Sequence, residues 1–481
     1  MQLSRLIADT DCSLVGDGDT EVAGLSTNTQ TLKSGEAYVA LRRARDGHEF
    51  IAAAAAAGAA AAVVDHEVDI ALPQVVVSST DQGLASLAQT LYGRPSDALR
   101  VIGVTGTNGK TTTTYLIYAA LVAAGVSTGL LGTVEYRIGS RCVASTNTTP
   151  EAHELQRMLR EMVDAGCETV VMEVSSHGLS MNRLDSIRFD VGVFTNLTRD
   201  HLDYHDSFAA YAAAKATLFD NLDSTAHAVV NVDDDSSDRM IRDTSAQIVG
   251  YGQDVNSQFR VRSFVTDYRG SKVVIEALDE TITGSLSLTG HFHQYNVAAA
   301  VAACRALDIP SKTIVSALES VQVPGRFEGV DVGQPFGVFV DYAHTPDGLV
   351  NALTAGRQLA ERRLISLFGC GGERDRGKRP EMGRASADLA DLTIVTSDNP
   401  RSEDMDAIIA DIIPGLDGAP YLVEADRRKA IDLALKDAEA GDLVVIAGKG
   451  HEDYQAIGGE TIHFDDREVV REILGELGHG G

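Results

Sequence analysis

Residues 105–112 read TGTNGKTT, with two glycines, a lysine and four threonines directly after the apolar run VIGV. Backbone N–H groups of such a turn can wrap phosphate oxygens, and the N-terminus of a following helix adds a positive dipole. On this reading Thr105, Gly106, Thr107, Asn108 and Gly109 form a nucleotide cradle that Thr112 completes, with Lys110 reaching the β- and γ-phosphates and Thr111 facing Mg²⁺. The usual phosphate-loop pattern has Gly where this chain has Val104, so the fit is to a variant. A plain Gly-rich turn is the competing reading. The strand before, the helix after and GKTT at their junction favour phosphate.

Two further apolar runs end on residues suited to a metal–nucleotide site. In VVMEVSSHG, Glu173 closes the run, where a carboxylate binds Mg²⁺ directly or through water; a strand-end acid without a ligand is an equal reading. In TNLTRDHLDYH, His201 lies among Asp200, Asp203 and His205, which suits either a metal or a capped helix start. SFAAYAAAKATLF then reads as a helix of small and apolar residues interrupted only by Lys215. Such a lysine either snorkels to solvent or is chemically special, and side-chain physics favours snorkelling.

These residues need elements to hold them. VIGVTG, TVVMEVSS and DVGVFTNL are short β-branched runs that stop at polar loops, as parallel strands of a doubly wound sheet do. The pattern restarts with GVFVDYAHTPD, LISLFGCGGERD, LTIVTSDNPR and LVVIAGKGHED. Ligands of such sheets bind outside the carboxyl ends of the strands, so two sheets facing a common cleft are expected. A chain of 481 residues suggests about three domains of roughly 150 residues each. Pro324 and Gly325 mark a linker. The expected fold is α/β in three domains: a small mixed α/β domain over 1–97 with one Ala-rich helix, a central P-loop doubly wound domain over 98–325, and a Rossmann-like α/β domain over 326–481.

The longest apolar stretch, Phe50 to Val64, is mostly Ala with Gly58 in its middle. It falls short of the roughly 18 apolar residues of a membrane helix and reads as helix, glycine cap and strand. The opening MQLSRLIADTD has no long apolar core, so no signal peptide is expected. Cys12, Cys142, Cys167, Cys304 and Cys370 are scattered without CxxC pairs, which argues for reduced thiols in a cytoplasm and against structural zinc. A net charge of −28 disfavours nucleic acid and anionic membrane as partners, and a soluble monomer is expected. An acidic surface poor in Lys would suit a salt-rich cytoplasm. Of the few lysines, Lys110, Lys215, Lys378 and Lys449 all fall in the motifs discussed here.

Together, TGTNGKTTT, NTTPE, MEVSSHGL, FTNLTRDHLDYH, the AAK of Lys215, PGRFE, VDYAHTPD, FGCGGERDRGKRP, SDNPR and AGKGHEDYQ cover almost the whole chain. In this order they resemble the Mur ligases of peptidoglycan synthesis, most nearly those that join an amino acid to UDP-N-acetylmuramoyl-L-Ala-D-Glu. The resemblance implies that ATP phosphorylates the substrate's terminal carboxylate, that an incoming amine attacks the acyl phosphate, and that a tetrahedral intermediate collapses to an amide and phosphate. Two anions must meet, so cations are needed between them. By resemblance, Lys110, Glu173, His201 and Lys215 are the catalytic set. Thr111, Glu173, His201 and Lys215, the last as a carbamate, surround Mg²⁺, which would reverse the snorkelling reading. Asn296, Arg326 and Asp341 match nucleotide contacts. Ser26, Asp46, Gly47 and His48 resemble the UDP site, while Thr148, Thr149, Ser175 and Arg183 resemble contacts to the muramoyl dipeptide. Two positions depart from the pattern: Met181 stands where Gln is frequent, and Ala299 where a second Asn is expected.

The amino acid added is read from SDNPR. Within the family, Asp398, Asn399, Pro400 and Arg401 go with meso-diaminopimelate, whose distal end carries both an ammonium and a carboxylate. Arg401 can fork that carboxylate and Asn399 can hydrogen-bond polar groups. Gly448 and Glu452 match contacts to the distal centre, and Arg374 matches the arginine that holds the carboxylate near the reacting amine. GERDRGKR, residues 372–379, would supply a local positive field in a repelling protein. The rival readings are a lysine-adding or other Mur-type ligase, a folylpolyglutamate synthetase, a P-loop ATPase or kinase, and a catalytically silent nucleotide-binding module.

Overall fold

The computed structural model describes residues 1–201, 204–277 and 279–479. They form two compact units: Met1–Phe259 with Ala299–Ile314, and Arg260–Ala298 with Val315 onward.

The first unit holds two sheets. The smaller orders its strands Ser13–Val15, Gln74–Val76, Ala61–Val64, Glu36–Val39 and Gly24–Ser26, parallel except at the first edge. The Ala-rich stretch resolves as expected into helix Ile51–Ala56, a left-handed Gly58 and strand Ala61–Val64. The sequence reading missed a longer helix, Thr80–Leu91, which buries Leu84, Leu87 and Ala88. Its Gly and its short polar residues mask the helical period that those apolar positions set up.

The larger sheet has a parallel core, Gln247–Gly252, His227–Asn231, Val191–Phe194, Arg100–Thr105, Thr169–Glu173 and Thr128–Leu131 in that order, beyond which Glu135–Ile138 and Arg141–Ala144 add antiparallel. Strand Arg100–Thr105 lies between Thr169–Glu173 and Val191–Phe194. Strand order reverses there, so the carboxyl ends of those strands open the crevice in which such sheets bind ligands. The strands are buried along nearly their whole length. That accounts for their continuous β-branched runs rather than alternation.

In the second unit, Gly337–Asp341, Leu443–Ala447, Leu364–Phe368, Leu392–Val395 and Tyr421–Val423 are parallel neighbours in that order, with Glu328–Gly329 antiparallel at one edge. Strands Phe259–Asp267, Gly270–Glu276 and Thr281–Leu286 form an antiparallel meander. A fully buried pair, Arg427 with Asp466 (2.7 Å through both nitrogens), ties down the loops after two parallel strands, because Arg427 also donates to Ser397 O at 3.2 Å and Ala447 O at 3.0 Å. Among the described residues no helix is long and apolar enough to cross a membrane.

Candidate functional site

In the first unit the phosphate loop is pinned from the strand beside it. Thr107 N donates to Asn196 O (2.8 Å), Asn108 N to Asn196 Oδ1 (3.0 Å) and Thr195 Oγ1 to Asn108 O (2.6 Å). Gly106 sits at φ 145°, and a Cβ there would overlap Thr195 Oγ1, so only glycine lets the loop close against that strand. Helix Lys110–Ala123 starts directly after it, with Thr111 and Thr112 buried in its first turn. Thr105 Oγ1 is buried without a partner among the described residues.

Lys110 and Lys215 converge on one atom. Lys110 Nζ donates to Gly106 O and Thr107 O, both at 2.9 Å, and Lys215 Nζ donates to the same Gly106 O at 2.7 Å. Lys215 is buried on helix Phe208–Asp220, its amine 4.7 Å from the ring centre of Tyr211. Snorkelling is therefore overturned: tertiary packing covers a helix face that its composition left open. Burial, reinforced by the nearby Lys110 charge and opposed by Asp200, lowers the Lys215 pKa well below 10.5. The amine is thus biased towards its neutral, nucleophilic form.

Glu173 ends its strand buried, accepting from Thr133 N (2.8 Å) and Thr133 Oγ1 (3.1 Å). Among the described residues no cation pairs with it. A buried carboxylate without a counter-charge is costly, and a divalent ion is the charge that would balance it. His201 is half-exposed with a left-handed backbone, φ 53°, its Nε2 3.5 Å from Asp200. The helix after it is capped by Ser207, so the capped-start reading does not apply to His201. Asp203 lies outside the described residues. Sequence reasoning passed over His177, whose ring meets His201 edge-on at 4.9 Å and Tyr204 at 4.1 Å, and Tyr211, whose hydroxyl lies 3.0 Å from Thr107 Oγ1. The signal for His177 was its place in SSHG.

The dipeptide-contact candidates share one network. Thr149 Oγ1 donates to Glu173 O (2.9 Å) and accepts from Ser175 N (3.0 Å), while Arg183 donates to Thr149 O (2.7 Å) and pairs with Glu151 (2.5 Å). Thr148 meets Thr133 at 3.0 Å, which joins this network to the Glu173 carboxylate. Met181, in the position where Gln is frequent, places its sulfur 3.4 Å from Arg183 Nη2. In the smaller sheet, Asp46 accepts from the backbone and the ring of His48 (3.0 and 2.7 Å), and those bonds, backbone first, lower its pKa. Gly47 N donates to Leu41 O, and Ser26 closes a turn with Asn28.

The remaining candidates belong to the second unit. Asn296 lies 3.3 Å from His293, while the departing Ala299 is buried on the same helix, His293–Ala306. Asp341 is half-buried at the end of its strand, its carboxylate accepting from Phe327 N (2.7 Å) and Ala343 N (2.8 Å); desolvation raises its pKa against the pull of Arg326 and those bonds. Arg326 stacks over Tyr342 with its Nε buried and unpaired among the described residues. The PGRFE turn packs on the AGKGHED loop: Gly325 has φ 63°, and a Cβ there would overlap His451 N.

The DNPR loop is cross-braced. Asn399 Nδ2 donates to Glu452 Oε2 (2.8 Å), and its Oδ1 accepts from Ala456 N (3.0 Å). Arg401, at φ 56°, donates from Nη1 to Gly372 O (2.6 Å). Asn399 O accepts from Gly372 N, Pro400 O from Glu403 N, and Gly448 N donates to Asp341 O. Asp398 Oδ1 accepts from Asn399 N. The expected positive field of residues 372–379 is smaller than its formula. Arg379 is buried against Glu403 (3.1 Å) and Asp411 (2.9 Å), and Arg376 pairs with Glu403 (2.9 Å). Arg379 therefore serves structure, held by acids from sequence positions that no local motif reveals, while Arg376 shares Glu403 from the surface. Arg374 is exposed, and Lys378 reaches His344 O at 2.8 Å.

The Mur ligase middle domain matches residues 104–304, and the Mur ligase, glutamate ligase domain matches 325–450. A UDP-N-acetylmuramoyl-L-alanyl-D-glutamate--2,6-diaminopimelate ligase of Aquifex aeolicus is 44% identical over 456 residues, covering 94% of each chain. A solved structure of a ligase of the same name superposes with a TM-score of 0.72 at 32% identity, covering 100% of this chain and 99% of the other. The MurF ligase of Thermotoga maritima in complex with ADP shares the fold at TM-score 0.62 and 20% identity, over 95% of this chain and 97% of that one. With two domain models spanning most of its length and near-complete alignment to such relatives, this chain belongs to the Mur ligase family.

Proposed function

We propose that this chain is an ATP-dependent ligase that joins meso-diaminopimelate to UDP-N-acetylmuramoyl-L-Ala-D-Glu in peptidoglycan synthesis. The observation that carries the reading is the phosphate loop with Lys110 and Lys215 on one carbonyl, in a chain whose near-full-length relative is a 2,6-diaminopimelate ligase. The loop amides and Lys110 hold the triphosphate. Glu173, His201, Thr111 and carbamylated Lys215 would hold Mg²⁺, and the uncompensated burial of Glu173 fits that ion. Bound there, Mg²⁺ supplies positive charge against the γ-phosphate.

An oxygen of the D-Glu carboxylate attacks the γ-phosphorus, and ADP leaves. The free amine of diaminopimelate attacks the resulting acyl carbon, the C–O bond to phosphate breaks, and an amide forms with loss of the amine proton. Arg183, Thr148, Thr149 and Ser175 hold the dipeptide, and Ser26, Asp46, Gly47 and His48 the UDP end. Arg374, Asn399, Arg401, Gly448 and Glu452 hold the amino acid, with Asp398 and Pro400 shaping the loop. Asn296, Arg326 and Asp341 serve the nucleotide. The domain division at about residues 97 and 325, a cytoplasmic location and a monomeric state belong to the same reading. Heavy oxygen in the D-Glu carboxylate tests the route: one labelled atom should appear in the released phosphate. Unlabelled phosphate alongside amide product would exclude the acyl phosphate.

A further inference from the structure

The loop after strand Leu443–Ala447 carries a lysine to which the mechanism above gives no task. Lys449 is fully buried, and an ammonium stays buried only where hydrogen bonds and an opposite charge replace water. Its Nζ donates to Asn399 Oδ1 and to Glu452 Oε2, both at 3.3 Å, and lies 5.3 Å from the ring centre of Tyr454. Asn399 Nδ2 donates to that same Glu452 oxygen.

This triangle fixes two choices that the side chains could otherwise make freely. An Asn amide can flip, but Lys449 and Ala456 N are both donors, so Oδ1 must face them and Nδ2 must face Glu452. Glu452 in turn has Oε2 occupied by two donors, which leaves Oε1 as the oxygen to accept from a ligand ammonium. Glu452 is partly exposed while Lys449 is not, so the lysine braces the site from behind and does not itself reach the ligand.

Resting on the diaminopimelate reading, we propose that Lys449 is a positioning residue for recognition of the distal ammonium: it holds Asn399 and Glu452 in the one arrangement that accepts it. A site built to bond a substrate N–H group discriminates strongly against an analogue that lacks the group. The test compares kcat/KM for meso-diaminopimelate with that for 2-aminopimelate, which keeps the distal carboxylate but has no distal amine. In Lys449→Met the preference for diaminopimelate should fall by about tenfold or more, through KM for the amino acid, with KM for ATP changed less than about twofold. In a Glu452→Gln background the same substitution should add no further loss of preference. Should the Met variant not fold, Lys449→Gln keeps a donor and should lower the preference by a smaller factor. An unchanged preference in whichever variant folds overturns the proposal while leaving the ligase reading intact. A wild-type enzyme that uses no diaminopimelate overturns both.

Discussion

Lys215 and Lys449 are equally buried, and their surroundings are opposite. Lys215 has a backbone carbonyl and an aromatic face, with another lysine on the same carbonyl. Lys449 has a carboxylate and an amide oxygen. A buried amine with no anion beside it is pushed towards its neutral form and is available for covalent chemistry. A buried amine against a carboxylate is a brace. On the roles proposed above, the same buried residue type is a reactive group in one unit and scaffolding in the other, and the neighbours decide which.

Three sets of variants can break that contrast. The largest effect is expected at Lys215. Lys215→Ala removes the group proposed to hold Mg²⁺ as a carbamate, and ligase turnover should fall by about 10²–10³-fold, with partial recovery on adding short carboxylic acids. Full activity without rescue would end the carbamate role. Next is Arg401→Ala, which removes the proposed carboxylate fork. Preference for diaminopimelate over lysine should fall by the equivalent of about 1–3 kcal/mol, read from competing kcat/KM values. An unchanged preference would mean that Arg401 serves only its bond to Gly372 O.

A smaller effect, but one of opposite sign at the two lysines, is expected in stability. Burial lowers the folded pKa of Lys215 below its ordinary 10.5. Between those values the unfolded chain binds the extra proton, so this amine's cost is greatest at low pH and fades as pH rises towards 10.5. Lys215→Met should therefore raise the melting temperature near neutral pH in CO₂-free buffer, and the gain should shrink as pH rises. Lys449→Met should lower it, because Glu452 and Asn399 lose a partner. Each shift should be about 2–4 °C per kcal/mol. Equal signs would break the comparison.

Salt sharpens it. Molar KCl reduces the Debye length to about 3 Å, which screens the surface repulsion of a chain of net charge −28. Wild-type melting should rise by a few degrees as like-charge repulsion is screened, while the opposite signs of the two Met variants persist, since buried contacts are screened little. A melting point that falls in KCl would count against the salt-adapted reading of the surface.

Much of this was legible in the sequence. The parallel strands announce themselves because both faces are buried, so they read as unbroken β-branched runs such as TVVME and LVVIA. The phosphate loop is legible because close backbone approach admits only glycine at Gly106. What escaped depends on contacts between distant positions. Whether Lys215 reaches solvent is decided by what packs on its helix, and an Ala-rich helix leaves that open. Arg379 looked like cleft charge until Glu403 and Asp411 came to it from other elements. The brace of Lys449 spans 50 residues to Asn399. No local pattern predicts which member of AGKGHED faces inward.

The most direct measurement is phosphate release from ATP in the presence of UDP-N-acetylmuramoyl-L-Ala-D-Glu, with meso-diaminopimelate, with L-lysine and with no amino acid, at low and at molar KCl. The account expects release that requires diaminopimelate and matches the amide formed. Release with lysine instead would keep the ligase and overturn the reading of Arg401, and release indifferent to both substrates at every salt level would contradict the ligase itself.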